Sequence, residues 1–287
     1  MKSPAFVLRA LASVVVLHCT LLGEENDKET PIFGWRNEVI GGLNVTQTSF
    51  DNWTQGGEST FSWQLYLTGN FVHDQEKYNW AHAGKISFGK TKVGGTEARK
   101  SVDEIRLESV FTYKIGVYVN PYAAVTGETQ FATGFDYTQD PKVEISDFMD
   151  PGYFTQSVGV GYIPFADLRT RLGFGLKETI TRDFPAPYAD DPTTPKVERT
   201  KIEIGLESVI DFRRKLSDNV LLSAKLELFS NLKRYDETDV KWDTIFSNKV
   251  SKYMAVNLNV KLFYDKNLST KRQLKQGLGL GVSYTFF

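Results

Sequence analysis

The residues in this chain that could do chemistry are charged side chains set at every second position of apolar runs. Arg106 and Glu108 alternate with Ile105 and Leu107; Arg169, Arg171 and Lys177 oppose Leu168, Leu172 and Phe174. Lys201, Glu203, Glu207 and Asp211 alternate with Ile204, Leu206 and Ile210, and Lys225 and Glu227 with Leu226 and Leu228. A period of two sends successive side chains to opposite faces of a strand, so each of these segments has one ionic face and one apolar face. Mixed signs on one face suit a salt-bridged, partly filled interior or a narrow polar passage. They do not make a nucleophile.

Other chemistry has few players. Beyond the first 23 residues the histidines are His73 and His82, and no G-x-S-x-G elbow occurs. His73, beside Asp74, reads as a solvated surface pair in a turn, and His82 as a strand end or local irregularity. A hydrolase with Ser or Asp beside a histidine is the third-ranked reading, because spatial triads leave no linear trace. The one cysteine is Cys19, and two scattered histidines make a poor metal set. Asp136, Asp140, Glu144, Asp147 and Asp150 crowd residues 132–152, but their spacing fits no calcium loop. The expected sets of catalytic residues, metal ligands and cofactors are therefore empty.

Residues 84–91, Gly-Lys-Ile-Ser-Phe-Gly-Lys-Thr, match the phosphate-loop pattern letter for letter. That loop needs a helix after it to aim backbone N–H groups at phosphate, whereas here the residues alternate as a strand and Val93-Gly94-Gly95-Thr96 follows. Gly277, Gly279 and Gly281 likewise lack a following helix. A formal charge of −1 argues against a nucleic-acid partner, which would draw a basic excess.

The elements that must position the charges are strands. The clearest are residues 61–71, where Phe61, Trp63, Leu65, Leu67 and Phe71 alternate with polar residues, and residues 276–286, where Leu278, Leu280, Val282, Tyr284 and Phe286 alternate with Gly, Ser and Thr. Further strands fit 41–50, 78–88, 105–113, 122–131, 154–162, 168–177, 200–212, 222–230, 240–246 and 254–264, about twelve in all. An even number suits a single-chain transmembrane barrel. The connections generally alternate in length as such barrels require: 73–77, 115–121, 163–167, 213–219 and 248–252 are compact, while 90–100, 132–152, 180–198, 231–239 and 265–275 are longer and the first, 51–58, is modest. A Lys or Arg facing lipid at midplane costs about 2–4 kcal/mol, so the ionic faces must point into the lumen or bulk water. Aromatic content of 13% suits girdles at the bilayer interfaces.

Residues 1–23 carry Lys2 and Arg9 ahead of a short apolar run and read as a secretory signal peptide. Residues 24–40 read as a periplasmic lead-in and 41–287 as the barrel. The expected fold is thus all-β, a transmembrane antiparallel up-and-down barrel in a Gram-negative outer membrane. Tyr284, Phe286 and Phe287 resemble the aromatic C-terminal signature of Gram-negative outer-membrane barrels, with Phe287 one residue out of phase. That signal implies membrane lipids and the barrel-assembly machinery as partners. The segment Asn52-Trp53-Thr54-Gln55-Gly56-Gly57-Glu58 reads as a hairpin connection whose glycines permit positive φ, with Trp53 in the outer girdle; the other reading folds it inward as a constriction or ligand contact.

The chain resembles the outer-membrane family of unknown function numbered 3078. The likeness is carried by Trp35, Gly42-Leu43-Asn44, Ser49-Phe50-Asp51-Asn52-Trp53 running into Gly56-Gly57-Glu58, Asp103-Glu104-Ile105, Thr129-Gln130-Phe131 with Gly134-Phe135-Asp136-Tyr137, and Pro151-Gly152-Tyr153-Phe154 leading to Val158-Gly159-Val160-Gly161-Tyr162. It would span most of the chain after the leader. The resemblance implies a barrel and an envelope location and transfers no catalytic residue. The expected function is a small passive pore or solute-uptake channel with a charge-lined lumen, its solute unnamed. The alternative is a non-conducting scaffold or adhesin-like barrel that binds through its loops.

Overall fold

A computed structural model describes residues 33–287 except positions 53, 55, 192, 235, 236, 267 and 287. The expected signal peptide, the first part of the lead-in, Trp53 and Phe287 lie outside the described residues. Twelve strands form one closed antiparallel ring: β1 (Gly34–Thr48), β2 (Thr60–Asp74), β3 (Tyr78–Val93), β4 (Arg99–Tyr113), β5 (Val119–Thr129), β8 (Gly152–Phe165), β9 (Leu168–Ile180), β10 (Thr200–Ser217), β11 (Val220–Asn231), β12 (Thr238–Lys249), β13 (Met254–Tyr264) and β14 (Gln273–Thr285). Each pairs with its chain neighbours, and β14 closes the ring on β1. Closure satisfies the backbone of every strand without leaving an edge.

Between β5 and β8 a small separate hairpin, β6 (Gly134–Asp136) and β7 (Val143–Ser146), occupies what the sequence suggested was an irregular acidic loop. The connection between β9 and β10 contains one helical turn, Pro185–Tyr188. The short connections, 75–77, 114–118, 166–167, 218–219 and 250–253, share one end of the barrel, the turn end. The longer ones share the other, the loop end, with 94–98 shorter than expected because β3 runs on through a bulge at Gly89/Lys90.

The first strand starts seven residues earlier than the sequence suggested, inside the expected 24–40 lead-in. Residues 34–40 pair with β2 from Gly34↔Asp74 onward. Their alternation is masked because the inward residues Arg36 and Glu38 sit at the watery mouth, where Arg36 meets Asp74 at 3.3 Å and Arg213 approaches Glu38 at 3.8 Å.

The outward faces make a continuous apolar belt. Leu107, Phe174, Ile202 and Leu278 are all 60% or more exposed, a surface that water would not tolerate and acyl chains cover. Below it, at the turn end, Trp35 stacks on His73 at 4.7 Å and Trp80 lies 4.8 Å from His82. Both histidines therefore belong to an outward aromatic girdle. His73 is no solvated partner of Asp74: it meets Gln75 and Tyr78, while Asp74 receives Arg36, Asn79 and Lys114.

Residues 84–91 lie wholly within β3, and Gly277, Gly279 and Gly281 within β14. Neither glycine series precedes a helix.

Candidate functional site

Strand pleat alone sends Arg106, Glu108, Arg171, Lys177, Lys201, Glu203, Lys225 and Glu227 to the inner face; ring closure then decides which of them meet. Arg106 donates to Glu227 at 2.5 Å and to Glu128 at 3.1 Å, and Lys241 donates to Glu128 at 2.8 Å. Glu108 receives Arg171 at 2.5 Å and also Lys225, which lies 3.2 Å from Glu227. Nearer the loop end, Lys85 lies 3.1 Å from Glu104 and 3.5 Å from Asp243, and Lys261 lies 3.2 Å from Glu104.

Five of these contacts cross the barrel rather than run along its wall. Arg106–Glu227 and Lys225–Glu108 join β4 to β11, Lys241–Glu128 joins β12 to β5, Lys85–Asp243 joins β3 to β12, and Lys261–Glu104 joins β13 to β4. In each case the two strands are five places apart around the ring of twelve. Side chains long enough to reach nearly across a lumen of this size brace it as struts.

On one side of the struts the interior is filled. Tyr122, Ala124, Val209 and Phe229 point inward from β5, β10 and β11 and are buried. Phe229 lies over Gly205, where a Cβ would come within 2.6 Å of its ring, and Tyr122 lies over Gly173, where a Cβ would sit 2.6 Å from its hydroxyl. The missing side chains leave notches that the rings occupy. Towards the loop end, Lys177 gathers Asp239 at 2.6 Å, Asp265 at 3.7 Å and Glu203 at 3.8 Å, while Lys201 lies 3.1 Å from Glu203 and Asn231 donates to Glu203 at 3.0 Å.

On the other side lies a cavity of about 1780 Å³, walled by β13, β14, β1 and β2 and, opposite them, by the struts themselves. Its lining on β1 reaches from Glu38 near the turn end to Thr46 near the loop end. Eight residues of strand rise about 26 Å, or roughly 20 Å of axis at the usual tilt. This wall is neutral and polar between its ends. Asn257 donates to Asn44 at 3.2 Å across β14, and Ser247 donates to Asn257 at 2.7 Å. Gln64 donates to Ser87 at 2.6 Å, Ser62 meets Thr91 at 2.8 Å, and Thr46 donates to the Leu278 carbonyl at 3.1 Å. Gly281 makes the amide bridge possible, since a Cβ there would collide with Asn44 and lie 2.7 Å from the Asn257 amide nitrogen. Gly42 is the notch for Tyr66, whose ring a Cβ would overlap.

Two of the expected inward charges stand apart. Arg169 has the phase of Arg171 but is exposed at the turn end, opposite Asp211 in the β9–β10 register. Glu207 is inward, and its Oε2, like the Nε of Arg171, has no hydrogen-bond partner among the described residues. Asn52, Gly56, Gly57 and Glu58 lie in the connection from β1 to β2, and none of these four lines the cavity. Gly56 and Gly57 hold φ of 86° and 128°, and Asn52 also has positive φ, at 51°. Tyr284 and Phe286 face outward beside the closing seam, 5.1 Å apart, and the Phe286 N–H donates to the Val39 carbonyl at 2.9 Å.

Sequence reasoning missed Lys85, Glu104, Glu128, Lys241, Asp243 and Lys261. Lys85 was absorbed by the false phosphate-loop pattern, although its odd-numbered phase on β3 was readable. Lys241 and Asp243 alternate with Val240 and Trp242, a signal available in the sequence. The inward amides Asn44 and Asn257 carry no such signal, because neutral polar residues fit either a lumen or a loop.

Among proteins of known family, residues 45–135 match a model described as a protein of unknown function, DUF3078. The resemblance to that family holds over these residues rather than over most of the chain. Residues 152–286 match a second model, a protein of unknown function, DUF481, which takes in Gly152–Tyr162. No curated protein matches. Solved structures similar to this chain include the translocator domain of the autotransporter NalP from Neisseria meningitidis, with 14% identity, 97% of each chain covered and a TM-score of 0.39. The COG4313 outer membrane channel from Pseudomonas putida F1 has 10% identity, covers 92% of this chain and 99% of its own, and has a TM-score of 0.41. The NanC porin has 8% identity, covers 87% and 99% respectively, and has a TM-score of 0.39.

Proposed function

We propose that this chain is an integral barrel of a Gram-negative outer membrane that works as a small passive channel. The observation that carries the reading is the cavity along β13, β14, β1 and β2, whose lining extends from Asp218 and Asn219 at the turn end to Ser101 and Thr91 at the loop end. The outward apolar belt needs a bilayer to cover it, and a polar interior of this length offers solutes a path through that bilayer. The aromatic C-terminal strand is the segment that assembly machinery would engage, and membrane lipids are the partner of the outer wall.

The five cross-lumen struts favour a second reading, a non-conducting barrel that presents its loops, because filled small barrels carry no current. Purified protein in planar bilayers separates the two. The channel reading expects steady single-channel steps; silence over a wide voltage range leaves the scaffold. The two histidines lie on the outer wall away from the cavity, so hydrolysis does not enter this reading.

A further inference from the structure

The neutral wall narrows what the channel takes. We infer, resting on the channel reading above, that the passage carries uncharged polyhydroxylated solutes of monosaccharide size and does not select ions by sign.

The struts bind the mid-lumen charges to one another: Arg106, Lys225 and Lys241 are answered by Glu227, Glu108 and Glu128, and Lys85 and Lys261 by Glu104 and Asp243. An interior whose charges are matched in pairs at contact distance presents little net field to a passing ion. Outside the struts, Lys275 donates to the Ser101 carbonyl at the loop end, and the other lining cations, Arg213, Arg214, Lys215, Lys249 and Lys252, sit at the turn-end mouth, where Arg213 lies 3.8 Å from Glu38 and Arg214 3.8 Å from Asp167. An ion entering the passage would lose hydration without gaining a counter-charge, which is costly.

A neutral hydroxylated solute meets the opposite situation. Carboxamides and hydroxyls both donate and accept, as a sugar hydroxyl does. Asn44, Gln64, Thr46, Asn257, Tyr66 and Ser283 line the cavity along most of its length. They can exchange one solute–water hydrogen bond for one solute–wall bond at each step, so no step is strongly bound or strongly opposed. The amide bridge over Gly281 holds Asn44 and Asn257 at mid-passage, where three strands contribute to one small polar platform.

The test is uptake of labelled glucose, gluconate and glucosamine into proteoliposomes of the whole protein, with reversal potentials in a potassium chloride gradient. The expected result is glucose uptake exceeding that of both charged analogues, and a potassium-to-chloride permeability ratio within about twofold of unity. Asn44→Asp places a carboxylate on the neutral wall, and Asn257→Asp does so from the neighbouring side should the first variant fail to fold. Either should move the ratio toward potassium by about tenfold and raise glucosamine over gluconate. Conduction with a strong preference for one ion in the unaltered protein, or gluconate or glucosamine matching glucose, overturns the inference alone. So does a folded, conducting variant whose selectivity is unchanged. Silence in every assay overturns the channel reading and this inference with it.

Discussion

Glu108 is the residue on which the mid-lumen network converges, since it receives Arg171 from β9 and Lys225 from across the barrel while Arg106 lies 3.8 Å away. Replacing it with leucine would take the carboxylate from Arg171 and leave Lys225 with Glu227 alone, and a cation stranded inside is costlier than losing a pair outright. Glu108→Leu should lower the unfolding free energy by about 3 kcal/mol, read from urea unfolding in vesicles. Gly42 tests a different kind of contact. Because Tyr66 lies flat in the space that a Gly42 side chain would fill, Gly42→Val should tip the ring into the passage. Single-channel conductance should drop while urea stability changes by no more than about 1–3 kcal/mol, the usual cost of overpacking.

Neighbouring residues on one strand separate the two faces of the wall. Leu278 is 63% exposed on the outer face of β14, whereas Gly277 faces the cavity with nothing within 4 Å of an added Cβ. Leu278→Lys should therefore cost about 2–4 kcal/mol and Gly277→Lys less than about 1 kcal/mol, measured in the same vesicles. In the loop between β9 and β10, Thr193 donates its backbone N–H and hydroxyl to Asp191, and Thr194 donates its hydroxyl to Glu198. These bonds hold both carboxyls below their ordinary range. A depressed folded pKa contributes order that is present above the ordinary carboxylate range and is lost as pH falls through the folded values. Limited proteolysis by an acid-active protease should accordingly cut residues 190–199 only once pH drops below that range, with the barrel strands intact.

At the scale of the whole molecule the weakest joint is the closure. β1 pairs with β14 only over Ile40–Val45 but with β2 along its full length. The cavity runs beside this joint, so the least-tied stretch of the ring is also part of the cavity wall. Deleting residues 273–287 removes the closing partner and exposes the β1 and β13 edges. The truncated chain should fail to become protease-resistant in vesicles, as followed by digestion and gel mobility.

Much of this was legible in the order of residues. Leu278 to Phe286 shows its two faces without any partner, and so do Lys201 to Asp211 and Arg106–Glu108, because side-chain direction along a strand depends only on the pleat. Twelve such segments with alternating short and long connections determine a closed meander in a bilayer. What residues 34–40 lacked was contrast, since polar residues at a wet mouth blur the alternation. Only the tertiary structure decided that Arg106 meets Glu227, that Lys85 is a strut reaching Asp243, and that Asn44 reaches Asn257 over Gly281. Those meetings depend on height and angle around a closed ring. Stagger between strands sets both, and stagger is a property of the whole sheet that no single stretch of sequence contains.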